Sequence, residues 1–404
     1  MNEIQQPDVV TPNGDGSSAS ITFEKGSAIP HGNATALPDR LTHPDGELEP
    51  FSPYNCSSIG PAESKVIPDG VYKDSDKVTK NFCTEVKTSV DAVVDVFKQV
   101  ESYTLAEGAR LNIRFITTLD HLAQAIKGKD WGNYIEGVTP LTGCGVAALE
   151  DMCIINLGKI HPARRFDEGE YKMLLSEAKE IYDHRENAPK KNHGIPMGYH
   201  YAAFERNNEI VRNQVIELLI EFAWSEVEAK TIANSAEVVF GLMICDAHQD
   251  GGGNRVPEKV VSLIGIERRE MTFRMDGKQV SFTMAEVAEA ITADGYTNKG
   301  LYGCANTLMM RSLMQDRKAP HILIGEANLH NIGVVKNAFN QGRECGLMCD
   351  DIREKLGITL AALRADFTIR EKGDTLPDDR PNCLLPTFQT LQMIKEKYTS
   401  SMSN

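Results

Sequence analysis

The sequence lacks long apolar runs and a recognisable secretory leader. No stretch reaches the roughly 18 apolar residues that a membrane helix needs, and residues 1–7 do not show the basic-then-apolar order of a signal peptide. Nine cysteines, an odd number spread over 404 residues, provide no disulfide framework. We therefore expect a protein with reduced cysteines and no membrane partner.

Catalytic motifs are also missing. The three glycines at 251–253 are not followed by the Gly-Lys-Ser/Thr of a phosphate-binding loop, and no Gly-x-Ser-x-Gly elbow is found. Cys345 and Cys349 are spaced to share one helical face, but no second pair of Cys or His ligands accompanies them. We therefore expect a protein that is not an enzyme and that holds no cofactor.

The composition is that of a globular protein with a loose N-terminus. Hydrophobic residues make up 41% and charged residues 25% of the chain, and the net charge is −14. Residues 1–78 are rich in Gly, Ser, Pro, Asn and Asp, so we predict a disordered N-terminal arm there. Residues 79–372 are predicted to form the core, and the polar, Pro-rich segment 373–404 a C-terminal arm.

Apolar residues recur mostly at three- and four-residue steps, which predicts helices. These predicted helices lie near residues 86–97, 168–184, 202–242 (broken near 234), 283–291, 298–313, 327–339, 359–365 and 388–397. The helix at 283 is supported by Thr283 and Glu286, which have the spacing of a capping box. Asp276-Gly277 predicts a short β-hairpin over residues 271–282. The predicted fold is therefore mainly α, a single helical core with a small hairpin, a disordered N-terminal arm and an extended C-terminal arm.

Basic residues are concentrated in one part of this acidic chain. Residues 296–343 contain six cations and two anions, a local excess of four positive charges. The cations are Lys299, Arg311, Arg317, Lys318, Lys336 and Arg343. Such a segment indicates either a binding site for a polyanion or a solvated helix face.

A second pattern offers a different chemistry. Asp246, His248 and Asp250 alternate along the chain, so an extended backbone would place them on one side, where they could bind a metal. The glycines that follow Asp250 are equally typical of a loop after a helix. If the metal hypothesis holds, the protein is a soluble metal-dependent hydrolase.

Several short strings occur in the order found in one protein family. They are Gly-Leu-Met-Ile-Cys-Asp at 241–246, Met-Asp-Gly-Lys-Gln-Val at 275–280, Ala-Asn-Thr-Leu-Met-Met-Arg at 305–311, Asp-Arg-Lys-Ala-Pro at 316–320 and Lys-Asn-Ala-Phe-Asn at 336–340. Over roughly residues 241–366 this order resembles the core of coat proteins from flexuous filamentous plant viruses, the potyvirus type above all. Helical nucleoproteins of negative-strand RNA viruses follow a comparable plan.

This resemblance implies a helical core whose arms join neighbouring subunits in a filament. It also implies single-stranded RNA in an inner groove lined by an arginine and an acidic residue. Arg317 matches the groove arginine, with Arg311 as the alternative, and Asn340 stands at the acidic position. Arginine suits the role because its planar group can hold a phosphate through two hydrogen bonds.

The leading hypothesis is thus a structural protein that coats single-stranded RNA as a helical homo-oligomer, located in a virion and in the host cytoplasm. Its predicted RNA contacts are Arg317, Arg311 and Lys318, with Lys336 and Asn340 nearby. Such contacts would be made to phosphates and not to base edges. The competing hypotheses are the hydrolase at Asp246/His248/Asp250 and an acidic scaffold that binds no nucleic acid.

Overall fold

The computed structural model describes residues 18–22, 71–73, 78–81, 85–102, 110–160, 168–187, 194–222, 224–249, 253, 255–275, 277–360, 366–368 and 382–399. Its α-helices are α1 (Val90–Ser102), α2 (Leu119–Ile126), α3 (Glu168–Asp183), α4 (Glu209–Glu221), α5 (Glu226–Asn234), α6 (Leu301–Gln315), α7 (Ile332–Asn340), α8 (Asp350–Leu356) and α9 (Leu391–Thr399). Its strands are β1 (Ser18–Thr22), β2 (Val71–Lys73), β3 (Val78–Asn81), β4 (Glu85–Lys87), β5 (Arg110–Thr118), β6 (Ile135–Pro140), β7 (Met152–Ile160), β8 (Tyr199–Ala203), β9 (Val238–Cys245), β10 (His248–Gln249), β11 (Arg255–Val256), β12 (Lys259–Met275), β13 (Lys278–Thr292), β14 (Ile322–Asn328), β15 (Asp366–Thr368) and β16 (Asn382–Thr390).

The C-terminal part of the sheet has the strand order β8-β9-β12-β13-β14-β16-β15. Neighbouring strands in this order are antiparallel, except that β13 and β14 are parallel. The parallel pair requires a crossover connection, which α6 supplies between the end of β13 and the start of β14. In the N-terminal part, β7 lies between β6 and β5, and β5 continues to β4 and β3.

Helices cover both faces of the C-terminal part of the sheet. On one face, α6 and α9 pack on β9, β12 and β14 through a cluster that includes Ile264, Leu323, Met310 and Tyr398. On the other face, α4 and α5 pack on alternate residues of β9 and β12. We call these faces the α6 face and the α4 face. Because both are covered, the strands are apolar on both sides and resemble continuous hydrophobic runs.

The N-terminal part has its own core and is joined to the rest of the sheet by a second one. Helices α1, α2, α3, α7 and α8 pack together with β5, β6 and β7 around Phe97, Phe115 and Trp131. A separate cluster brings Ile116 and Ile154 of this part against Phe282 and Ile324 of the C-terminal part. The two parts therefore share buried apolar surface.

The predicted mainly α fold class is wrong, because strands form the centre of the molecule. The predicted helix at 283–291 is strand β13. Its supposed capping residues have other roles: the Thr283 amide donates to Nδ1 of His321, and Glu286 binds Arg114. The hairpin at Gly277 is confirmed, but its strands β12 and β13 are 17 and 15 residues long, much longer than predicted.

The expected extended C-terminal arm is also wrong for residues 382–399. Strand β16 pairs with β14 over seven residues, and α9 buries Ile394 and Tyr398 in the core beneath α6. Most of the predicted N-terminal arm lies outside the described residues, and the division of the chain at residues 78 and 372 stays a prediction. None of the described helices combines the length and the apolar character that crossing a bilayer requires.

Candidate functional site: a cleft between two parallel strands

Strands β13 and β14 separate partway along their length. They pair at residues 284–286 and 322–324, whereas β13 continues to Thr292 and β14 to Asn328. At the same point the register between β12 and β13 shifts and leaves Ala288 as an extra residue, which is a β-bulge. A bulge bends its strand, so β13 turns away from β14. We call the opening between residues 287–292 and 325–328 the cleft, and its closed end at Glu286 and Ile324 the apex.

The N-terminus of α6 lies at the carboxyl end of β13, beside the open end of the cleft. The connection contains three residues with positive φ, Gly295 (79°), Asn298 (62°) and Gly300 (74°). Gly300 is the N-cap, no side chain caps the helix, and no acidic residue occupies its first turn. The first amide groups of a 15-residue helix are thus left for an anion, which the helix dipole also favours.

A lysine lies in the same connection. Lys299 Nζ donates to the Tyr199 hydroxyl at 3.0 Å and lies over the rings of Tyr199 and Tyr296, 5.7 and 4.9 Å from their centroids. The hydrogen bond from Lys299 to Tyr199 raises the pKa of the ammonium group, which therefore stays charged. These contacts fix the connection against β8 and keep a cation beside the helix N-terminus.

Arg343 lies at the apex of the cleft. A Cβ built on Gly325 would be 2.8 Å from Arg343 Nη1 and 3.3 Å from Val287 Cγ2. The guanidinium group is therefore close to Gly325 of β14 and Val287 of β13, the residues that follow the last pair, Ile324 and Glu286. Arg343 is 3% exposed, and its Nη2 is 3.4 Å from the Tyr302 hydroxyl at the start of α6. Gly325 leaves the space that this side chain fills.

The backbone around Arg343 is held on both sides. Helix α7 ends in a Schellman motif, in which Gly342 (φ 81°) and Arg343 donate their amides to the carbonyls of Phe339 and Ala338. On the N-terminal side of Arg343, the Gln341 carbonyl accepts a hydrogen bond from Gln389 Nε2 at 2.8 Å. After it, Glu344 accepts from Arg185 and Tyr182, and its backbone pairs with Phe388. The position of Arg343 is thus fixed by contacts of its neighbours.

Buried charges lie at the apex on the opposite, α4 face. Glu286 and Arg114 form a two-bond ion pair at 3.1 and 3.2 Å, and they are only 7% and 4% exposed. Glu267, directly across the strand pair from Glu286, binds Arg269. Glu289, after the bulge, accepts from Trp224 Nε1 at 3.2 Å. Three carboxylates and two guanidinium groups are therefore buried beside the apex.

The predicted RNA contacts lie on two helices and on the turn that follows the first of them. Arg311 lies on α6, which packs on β9 and β12, and Arg317 and Lys318 are in the turn that ends this helix. Lys336 and Asn340 are exposed on α7, which packs on β14 and α3. Arg317 has φ 56°, and its amide and that of Lys318 bond to the carbonyls of Met314 and Leu313. It occupies the position that glycine usually takes in a Schellman motif, so its backbone ends the helix.

The predicted metal triad is replaced by a different set of residues. Asp246 Oδ1 lies 2.6 Å from Nδ1 of His200, and Glu258 lies close enough to complete a possible three-ligand group. His248 instead contacts the backbone carbonyl of Asp246, and Asp250 lies outside the described residues. His200 and Asp246 are both more than 40% exposed, so this is a surface cluster.

No family model and no curated protein matches the sequence. Acetyltransferases are among the solved structures to which the chain is similar. NAA60 from Arabidopsis thaliana in complex with acetyl-CoA is 8% identical, with 48% of this chain and 98% of that chain covered and a TM-score of 0.33. The NatC complex bound to Gag peptide and CoA is 9% identical, with 48% and 99% covered and a TM-score of 0.31. IAA acetyltransferase from Bacillus cereus is 10% identical, with 48% and 99% covered and a TM-score of 0.29.

These findings correct the functional expectations. The resemblance to viral coat proteins and nucleoproteins is wrong, because strands form the centre of the described part of the molecule and the helical core that the resemblance implied is not found there. The expectation of a non-enzymatic protein does not agree with the similar solved structures, which are those of acetyltransferases. The metal-dependent hydrolase is not supported either: of the two triad residues that the structure describes, Asp246 contacts His200 and His248 contacts a backbone carbonyl.

The basic segment found in the sequence contained two residues that lie at the cleft, but their roles were not recognised. Arg343 and Lys299 were included in the basic segment, but the proposed site was built on Arg317 and Arg311. A local signal was available for the anion site: Asn298-Lys299-Gly300 precedes a strong helical pattern, and such residues favour the positive φ of a phosphate-binding turn. The burial of Arg343 depends on Gly325 and carries no local signal.

Proposed function

We propose that this protein is an acyltransferase that uses an acyl-coenzyme A as donor and an amine as acceptor. The observation that carries the proposal is the separation of the parallel strands β13 and β14 beside the uncapped N-terminus of α6. Ligands of open α/β sheets bind outside the carboxyl ends of the strands. A helix N-terminus at that edge favours a ligand with phosphate groups.

The cleft fits the extended shape of this donor. Its diphosphate would lie on the free amides of α6, with Lys299 as a nearby cation. Between this site and Val287 at the apex lie five residues of β13, 288–292. At the usual rise of a strand they span about 16 Å along the edge that faces β14. The pantetheine arm carries two amides, which can pair with an unpaired strand edge as a peptide does. The thioester would then reach the apex.

The acceptor is expected to approach from the α4 face. Side chains alternate along β13, so Glu286 and Met284 lie on the face opposite to Val287 and Ala285. Glu267, Glu286 and Glu289 place three carboxylates on that face, and carboxylates can bind a positively charged amine. The ammonium group of the acceptor first loses a proton to solvent, and the neutral nitrogen then attacks the thioester carbonyl carbon. The C–S bond breaks, and coenzyme A leaves as the thiol with the second proton, which the nitrogen loses as the amide forms.

Calorimetric titration with acetyl-CoA, coenzyme A and acetate tests the proposal. We expect acetyl-CoA and coenzyme A to bind in the micromolar range and acetate not to bind detectably, because the diphosphate and the arm supply most of the contacts. Release of free thiol in the presence of a panel of cationic amines would then measure transfer. Absence of binding of both acetyl-CoA and coenzyme A would refute the function.

A matched pair of variants locates the binding site. Lys299→Glu places a negative charge beside the proposed diphosphate and should weaken coenzyme A binding roughly tenfold. Lys318→Glu makes the same charge change at the other end of α6 and should alter the affinity less than about twofold, since screening is strong at that distance. Thermal melting of both variants checks that they are folded. Equal weakening by both would place the ligand elsewhere.

A further inference from the structure

Arg343 is a buried cation in a place where a buried cation is unfavourable. It is 3% exposed, and a charge taken out of water is costly unless it is paired. An arginine cannot avoid this cost by losing its proton, because its pKa is too high. In the part of the chain that the structure describes, its side chain makes one long hydrogen bond, to the hydroxyl of Tyr302, and its Nε has no partner.

The acidic groups near Arg343 do not neutralise it. Glu344, the next residue, is bound by Arg185 and Tyr182. Glu326 follows Gly325 on β14, so its side chain projects to the opposite face of the strand. The Tyr398 hydroxyl is also close, but burial raises its pKa, so it is neutral at physiological pH. The positive charge at the apex is therefore left without a counter-ion from these neighbours.

The guanidinium group is also placed where the reactive end of the donor would be. A Cβ on Gly325, the first residue of β14 beyond the last pair, would lie 2.8 Å from Nη1 of Arg343 and 3.3 Å from Cγ2 of Val287 on β13. The proposed diphosphate site at Gly300 is at the far end of the cleft. Arg343 is thus in position to meet the acyl group.

We propose that Arg343 recognises a carboxylate on the acyl group, so that the preferred donor is the monothioester of a dicarboxylic acid, such as succinyl-CoA. This inference rests on the proposed function. Arginine holds a carboxylate through two parallel hydrogen bonds, and a ligand carboxylate at the apex supplies the missing counter-ion. Arg343 is a specificity-determining residue for the donor and takes no part in bond making.

Titration of the full chain with acetyl-CoA, succinyl-CoA and free succinate tests the inference. The wild type should bind succinyl-CoA at least about tenfold more tightly than acetyl-CoA, the range expected for a charge-assisted hydrogen bond. Arg343→Met should reduce this ratio to about threefold or less. Lys336→Met, which removes an exposed charge from α7, should keep the ratio of the wild type.

A second variant moves the guanidinium group without removing it. A Cβ at residue 325 would lie 2.8 Å from Nη1 of Arg343, so Gly325→Ala should displace the charge and lower the same ratio. Thermal melting establishes that each variant is folded. If Arg343→Met does not fold, Gly325→Ala still tests the role of the charge.

The outcomes separate this inference from the function on which it rests. If neither thioester binds, the acyltransferase function fails and this inference with it. If both bind with equal affinity, the function stands and the inference about Arg343 is overturned. A third outcome is that free succinate binds in a way that depends on Arg343 while the two thioesters bind equally well. Arg343 would then recognise the carboxylate of some other ligand, and the inference about the acyl group would be overturned.

Discussion

Arg343 gives the ligand-free protein a charge that its surroundings solvate poorly. Its burial depends on residues far apart in the sequence: Gly325 leaves room for it, Gly342 turns the chain, and Tyr302 meets its end. Sequence patterns identify it only as one of several cations after residue 296. Arg343 differs from Arg317 in its burial, because Arg317 is exposed. This difference arises only from the tertiary structure.

Replacing Arg343 should therefore stabilise the free protein. Arg343→Met keeps most of the apolar length of the side chain and removes a buried, poorly compensated charge. We expect the free energy of unfolding in urea to rise by about 1 kcal/mol or more, as when buried ionic groups are replaced by apolar ones. A loss of stability would show that the charge has a counter-ion and would weaken the case for a ligand carboxylate.

Arg317 offers a second test at the scale of one residue. Its φ of 56° suits glycine better than any residue with a Cβ. Arg317→Gly should raise the free energy of unfolding by about 0.5–1 kcal/mol, the cost of the left-handed conformation less the extra chain entropy of glycine. Ser312→Gly, inside α6, should lower it by a similar amount. Destabilisation by Arg317→Gly would mean that its side chain has an important contact.

At the scale of elements, helices could be predicted from the sequence and strands largely could not. The patterns at 168–184 and 298–313 correspond closely to α3 and α6. Strand β9 has seven of its eight residues buried, so it lacks the alternation that reveals a half-exposed strand. Strand β13 was misread because its glutamates are buried and paired with arginine and tryptophan, which a helical pattern treats as an exposed face.

His321 makes the junction of β13 and β14 sensitive to pH. Its Nδ1 accepts from the Thr283 amide at 2.8 Å, its ring stacks on Phe282, and burial lowers its pKa below the usual value of 6.5. As pH falls below about 6.5, the unfolded chain takes up a proton here before the folded chain does. This group therefore reduces stability with decreasing pH until the folded state is protonated as well.

His321→Asn tests this linkage, because the Asn Oδ1 can accept the same hydrogen bond without titrating. We expect the free energy of unfolding to fall less between pH 7.5 and pH 5.5 in the variant than in the wild type, measured by urea titration at several pH values. An identical pH dependence in both proteins would exclude His321 as the titrating group.

At the scale of the whole molecule, the ion pair of Arg114 and Glu286 joins the N-terminal part to the apex of the cleft. Both residues are almost fully buried, and 172 positions separate them in the chain. Sequence reasoning had no means of pairing them. Beside this pair, the shared cluster around Phe282 and Ile116 joins the same two parts, so we expect them to unfold in one transition.

Arg114→Met should destabilise the protein by about 3–5 kcal/mol, because it leaves the Glu286 carboxylate buried without its main partner. The double variant Arg114→Met, Glu286→Leu should recover much of this loss, since both charges are then gone. A double-mutant cycle from urea unfolding gives the coupling between the two residues. Additive effects would indicate that the ion pair does not connect the two parts energetically.

Under the proposed function, an acyl-coenzyme A occupies the cleft between β13 and β14. Hydrogen–deuterium exchange with and without acetyl-CoA tests it most directly, because it reports where the ligand protects the backbone. We predict slower exchange on ligand addition at residues 287–292, at residues 298–304 around the start of α6, and at residues 325–328. Protection confined to other regions, such as the cluster of His200, Asp246 and Glu258, or no protection at saturating ligand, would contradict the account.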